Sequence, residues 1–134
     1  APSEHIMVLI ERLKKEFPID ANRIYITGYS TGGYGTFEMA AEYHDKFAAA
    51  VPLCGGGAPS LATKLANVPM WVFHGALDNG IKPENSRRMV RAIKQAGGRP
   101  NYIEYPDLGH NIWERTYNNP LFWKWLFAQN LQKR

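Results

Sequence analysis

Between a β-forming run, Arg23-Ile24-Tyr25-Ile26-Thr27, and a helical pattern over 30–43, the chain carries Gly28-Tyr29-Ser30-Thr31-Gly32-Gly33. A Gly-x-Ser-x-Gly sequence in that setting requires a tight elbow from strand to helix, with the central serine strained and its hydroxyl lifted clear of the backbone. Gly28 and Gly32 are expected where a Cβ would collide with the neighbouring strand or helix. The helix beginning at Ser30 points its free N–H groups and positive dipole end to the place where an oxyanion would form. The segment points to acyl transfer. With 12 glycines in 134 residues, the pentapeptide arises by chance in about 0.03 of chains of this composition, so its surroundings have to decide. The competing reading is a glycine-rich turn whose serine only caps the helix.

An elbow serine needs a general base and an orienting carboxylate, in the chain order Ser, Asp or Glu, His. Residues 68–75, Val-Pro-Met-Trp-Val-Phe-His-Gly, read as a buried strand ending in a glycine turn, and Asp78 follows it. Residues 101–105, Asn-Tyr-Ile-Glu-Tyr, alternate as a second strand, followed by Pro106-Asp107-Leu108-Gly109-His110. Ser30, Asp78 and His110 therefore all fall on loops at the carboxyl ends of parallel strands, where open α/β sheets place their sites. Asp107, in the same loop as His110, is the rival acid, but a turn-stabilising role suits it better.

The other candidates carry less. His74 ends a strand and is expected to hydrogen-bond loop backbone. His44 closes a helix, where a cation suits the dipole, and His5 opens the first helix and reads as solvated. No His-Glu-x-x-His or Cys-x-x-Cys spacing occurs, so no metal is expected. Cys54 is the only cysteine, which leaves the compartment open. It reads as a small buried residue at a strand end, and Cys54 to Gly57 as a flexible edge of the cleft. Tyr29, inside the elbow, and Trp113, on the loop after His110, are expected to line the substrate pocket. An apolar wall there would keep water from His110. Anchoring of its loop in the core is an equally open role for Trp113.

The motifs together resemble a known group. Ile24-Tyr25-Ile26-Thr27-Gly28-Tyr29-Ser30-Thr31-Gly32-Gly33-Tyr34-Gly35-Thr36 resembles the elbow of α/β-hydrolase carboxylesterases related to polyhydroxybutyrate depolymerases and to feruloyl or acetylxylan esterases. Ala48 to Gly56 resembles the strand that follows, and Phe73-His74-Gly75-Ala76-Leu77-Asp78 and Gly109-His110-Asn111-Ile112-Trp113 resemble the acid and histidine segments. The resemblance implies Ser30 as nucleophile, Asp78 as acid, His110 as base, the Thr31 backbone N–H as oxyanion donor and no cofactor. Thr31 departs from the methionine many relatives carry, which changes the pocket wall but not the backbone donor. An extracellular or periplasmic location is also implied only by resemblance.

The expected fold is α/β: the C-terminal part of an α/β-hydrolase three-layer sandwich, a mostly parallel sheet with helices on both faces. Residues 1–134 then form the C-terminal portion of one catalytic domain. Its earlier strands and the loop giving the second oxyanion N–H would come from elsewhere in that domain, in the same or a separate chain. Ala1 is not a natural start, and the strand at 23–27 would otherwise be an uncovered sheet edge. Hydrophobic content of 45% and charged content of 21% are ordinary globular values that exclude disorder, and no apolar stretch approaches a membrane span. The net charge of +4 is spread out. Arg87, Arg88, Arg91 and Lys94 gather on one helix whose apolar stripe is Met89, Val90, Ile93 and Ala96, a solvated face and not a nucleic-acid patch.

Ile6, Ile10, Leu13 and Phe17 predict an amphipathic first helix ended by Pro18. Residues 84–96 predict another, and Asn119-Pro120 opens a last helix whose Leu121, Phe122, Trp123, Trp125, Leu126 and Phe127 read as core. Ester cleavage by a Ser-His-Asp triad is the leading function, on a small-molecule or polysaccharide-linked ester. Two alternatives stay open: a serine peptidase of prolyl-oligopeptidase type, and a non-catalytic half-domain that needs a complementing segment.

Overall fold

The computed structural model describes residues 2–134, so the reading of Ala1 lies outside the described residues. In chain order the elements are α1 (Pro2–Glu16), β1 (Tyr25–Tyr29), α2 (Thr31–Glu42), β2 (Ala49–Leu53), α3 (Ala62–Leu65), β3 (Trp71–Gly75), α4 (Glu84–Gln95), β4 (Asn101–Tyr105), α5 (Trp113–Tyr117) and α6 (Pro120–Phe127). The strands form one sheet in the order β1-β2-β3-β4, and all three pairings are parallel. The α/β class with strands alternating with helices is as the sequence led us to expect.

Two apolar layers flank the sheet because successive side chains on a strand point to opposite faces. Ala50 and Val72 join Phe37 and Ala40 of α2, Leu65 of α3 and Met89, Val90 and Ile93 of α4 in one layer. Ala49, Val51, Leu53 and Phe73 join Ile112, Phe122 and Leu126 in the other. β2 is buried along its whole length, which is why its sequence runs apolar without alternation. The arginine-rich face of α4 stays outside: Arg87 grips Glu104 with contacts of 2.8 and 2.7 Å, and Arg91 reaches Glu84 at 2.6 Å.

Several local expectations need correcting. The first strand is Tyr25–Tyr29 and not 23–27, because Gly28 and Tyr29 pair with Pro52 and Leu53 of β2. Parallel pairing carries the ladder up to the elbow and overrides the weak strand preference of glycine. α2 starts at Thr31, with Ser30 as its cap. Trp113 opens α5 instead of lying in a loop. In α6 only Phe122 and Leu126 are buried, whereas Leu121 and Phe127 are exposed. Phe122 and Leu126 form the buried i, i+4 pair, and Trp123 and Trp125 pack half-buried against the same cluster, so the core reading fails only for Leu121 and Phe127. α1 has the expected helical form, yet none of its residues is buried, and Ile6, Val8 and Leu9 remain exposed. Cys54, Gly55 and Gly56 are buried beneath α2 and are no flexible rim.

Candidate active site

Ser30 follows β1 directly and adopts φ 63°, ψ −114°, a left-handed φ that an L-residue takes only when its surroundings impose it. The restraints are visible. Ser30 N–H donates to Leu53 O at 2.9 Å, and its own carbonyl accepts from Gly33 N–H at 2.9 Å. A Cβ on Gly28 would run into the backbone of Gly32, and one on Gly33 into Leu53 O and Gly55. Gly32 itself has open space where a Cβ would sit, which corrects the sequence expectation. The close approach that needs glycine falls one residue later, where α2 crosses the end of β2. As the first residue of α2, Thr31 keeps an N–H with no intrahelical acceptor.

The loops after β3 and β4 lean on each other. Leu77 N–H donates to Leu108 O at 2.9 Å, Ala76 N–H to Tyr105 O at 2.9 Å, and Gly75 passes so close to Gly109 O that a Cβ would overlap it. This contact sets Asp78 beside His110. We expect Gly75→Ala to lower stability by about 3 kcal/mol or more, since backbone meets backbone and neither can retreat. Gly32→Ala, in an open helical position, should instead raise it by about 0.5–1 kcal/mol. Urea denaturation of the two variants checks both, and a tolerated Gly75→Ala would contradict the loop contact.

Asp78 is 3% exposed. Its Oδ1 accepts from Gly80 N–H at 3.0 Å and Ile81 N–H at 2.9 Å, and its Oδ2 lies 2.7 Å from His110 Nδ1. Burial alone would raise its pKa. The hydrogen bonds from His110, Ile81 and Gly80 outweigh burial and hold the carboxyl below its usual range, so it is ionised at neutral pH. A carboxylate can only accept, which puts the proton of His110 on Nδ1 and leaves Nε2, 3.0 Å from Ser30 Oγ, free to accept from the hydroxyl.

Tyr29 and Trp113 meet next to this row. The Tyr29 ring lies 4.9 Å from that of His110 and 5.1 Å from that of Trp113, edge to face. Its hydroxyl donates to Asn111 Oδ1 at 3.2 Å. Trp113 is 40% exposed, so anchoring in the core does not describe it. Asp107 stands apart, in a bidentate pair with Arg115 at 2.7 and 2.8 Å. His74 donates to or accepts from Ser86 Oγ at 2.6 Å and lies 2.7 Å from Ile81 O. His5 is exposed, and the carbonyl of His44 accepts from Arg134 at 2.8 Å.

Sequence reasoning missed Asn111 as the Tyr29 partner. It also missed the Cys54 thiol, which donates to the His110 carbonyl at 3.4 Å. The signal for Cys54 was its place at the end of β2, beside the strands that carry the other residues. Burial pushes that thiol up to about 12, so it is a neutral donor and not a nucleophile. Among the described residues, Cys54, His74 and Asp78 bring possible metal-ligand atoms within 4.8 Å of one another. Their atoms are already engaged: both His74 nitrogens and both Asp78 oxygens have hydrogen-bond partners, and the thiol keeps its proton.

A family model described as the dienelactone hydrolase family matches residues 4–120. The chain belongs to the dienelactone hydrolase family. This dienelactone hydrolase family member is similar to the crystal structure of a thermostable esterase, with 40% identity and a TM-score of 0.92 over 96% of this chain and 37% of that one. It is 27% identical over 107 residues to a bifunctional acetylxylan esterase/xylanase of Neocallimastix patriciarum, covering 75% of this chain and 16% of that protein. It is 43% identical over 51 residues to poly(3-hydroxyalkanoate) depolymerase C of Paucimonas lemoignei, covering 38% of this chain and 12% of that protein. The chain thus spans well under half the length of each. The resemblance to α/β-hydrolase esterases read from the motifs is borne out, as is the fold, since the TM-score of 0.92 comes from superposing nearly the whole chain.

Proposed function

We propose that the protein hydrolyses carboxylic esters, with Ser30 as nucleophile, His110 as general base and acid, and Asp78 as the orienting carboxylate. The observation that carries this reading is the unbroken row from Ser30 Oγ to His110 Nε2 at 3.0 Å and from His110 Nδ1 to Asp78 Oδ2 at 2.7 Å. His110 takes the Ser30 proton as the hydroxyl attacks the ester carbonyl, and Asp78 stabilises the imidazolium that forms. The Thr31 N–H donates to the developing oxyanion. His110 then protonates the departing alcohol, and in the second half it activates a water that releases the acid and restores Ser30. Water is the only co-substrate the sequence of steps requires. Tyr29 and Trp113 form the wall against which the ester packs. The names of the similar esterases support an ester over an amide as substrate.

This reading includes a second part. Residues 1–134 act as the C-terminal portion of one catalytic domain whose remaining strands cover β1 and α1 and bring a second oxyanion donor. β1 ends the sheet and so offers unpaired N–H and C=O groups, and Ile6, Val8 and Leu9 on α1 are exposed. A missing donor would weaken the transition state by about 2.7–4 kcal/mol. The test is hydrolysis of a short-chain aryl ester against the matching anilide, by wild type and by His110→Ala. Ester turnover that disappears in the variant supports the proposal. Faster turnover of the anilide, or ester turnover that survives the variant, contradicts it.

A further inference from the structure

His74 is the one fully buried imidazole, and the reaction above gives it nothing to do. It is 0% exposed near the end of β3, and it cannot replace His110, because both of its nitrogens are taken. Ile81 O, 2.7 Å from Nε2, can only accept, so Nε2 carries the proton. Nδ1 is left as the acceptor for the Ser86 hydroxyl at 2.6 Å. Ser86 is itself fully buried in the first turn of α4, and its Oγ also lies 3.3 Å from Gly55 O, beside Cys54. The ring therefore ties the acid loop to α4.

What that tie holds is specific. Ile81 is gripped from both sides: its N–H donates to Asp78 Oδ1 at 2.9 Å and its carbonyl accepts from His74. With Oδ1 fixed by Ile81 and Gly80, the other carboxylate oxygen is aimed at His110. We propose that His74 is a positioning residue of this site, holding Ile81 so that Asp78 presents Oδ2 to His110 Nδ1. The consequence for turnover rests on the hydrolase reading above, whereas the effect on the Asp78–His110 hydrogen bond does not. A leucine would fill the same volume and leave Ile81 O buried without a donor. Burial is the main influence on the imidazole and lowers its pKa, which keeps it in the neutral form this arrangement uses. Nε2 is also 3.5 Å from Asp78 Oδ2, but its hydrogen is directed to Ile81 O.

The test compares wild type with His74→Leu and His74→Gln by two readouts. The first is the downfield proton resonance of His110 Nδ1–H, assigned by its loss in His110→Gln. The second is kcat and KM for an ester. In His74→Leu the resonance should broaden or vanish and kcat fall about 10- to 100-fold with KM little changed, the penalty typical of a misplaced catalytic group. A glutamine amide N–H reaches the position of Nε2, so His74→Gln should recover the resonance and most of kcat. A resonance and kcat unchanged in His74→Leu would overturn the proposal, as would equal losses in Leu and Gln, which mean ring packing alone. If His74→Leu does not fold, Ser86→Ala decides: a weakened resonance supports the proposal, and an unchanged one overturns it. Wild type that shows the resonance, loses it in His74→Leu and yet hydrolyses no ester would support the positioning role and remove the hydrolase reading. Wild type without the resonance would overturn the positioning role.

Discussion

Ser30→Ala is expected to lower kcat for ester hydrolysis by about 10⁶-fold, the scale seen when a triad nucleophile is removed and only binding and oxyanion contacts remain. Stability should change by less than about 0.5 kcal/mol, because alanine tolerates φ 63° no better and no worse than serine. Ser30→Gly separates chemistry from strain. It removes the same hydroxyl, but glycine enters a left-handed φ freely, and the folded state should gain about 1 kcal/mol from the relieved strain. Inactive variants, one as stable as wild type and the other more so by urea denaturation, would show an elbow that keeps backbone strain to present its hydroxyl. Retained turnover in Ser30→Ala would remove the assignment, whatever the stabilities.

Asp78→Asn is the second large effect. The asparagine oxygen can still accept from Gly80 and Ile81, which leaves its NH₂ facing His110 Nδ1 where Oδ2 was. A donor there forces the imidazole proton onto Nε2, which can then no longer accept from Ser30. The expected loss is about 10⁴-fold in kcat. Stability should fall by about 1–3 kcal/mol at neutral pH, as a buried charge-assisted hydrogen bond is lost. The sign with pH follows from the carboxyl being held below its usual 3.8 in the fold. Its contribution is complete above that unfolded value and is lost as pH drops through the lower folded one. The gap between wild type and Asp78→Asn should therefore close in acid below about 3.8 and stay constant above it. A gap that widened on acidification would mean that the fold raises this pKa.

Much of the site's position was legible because its residues lie just past strands, and strands announce themselves by composition. β4 was read to the residue, since Asn101 to Tyr105 alternates between Pro100 and Pro106. The order of Ser30, Asp78 and His110 then placed all three at one sheet edge. Contacts between loops were not legible. Nothing local in Gly75 or Gly109 says that they pass so close that a Cβ on Gly75 would overlap Gly109 O, and this is what joins Asp78 to His110. The elbow misled at Gly32, because the motif marks a glycine whose Cβ would meet nothing here, while Gly33 makes the tight crossing over Leu53 O. His74 and Ser86 lie far enough apart in sequence that only the packing of α4 against β3 reveals their pairing. In α6 a dense aromatic run hid which face would be buried, because Lys124 alone interrupts it and one polar position marks too little of a helix surface to define the opposite face.

The most direct test of the hydrolase assignment is the intact mass of the protein before and after exposure to a fluorophosphonate, with the modified residue located by peptide mapping. An alcohol reacts with this probe only where a base has activated it. Our account predicts one adduct on Ser30, absent from both Ser30→Ala and His110→Ala. A folded protein that takes up no adduct, or one still labelled after Ser30→Ala, would contradict it.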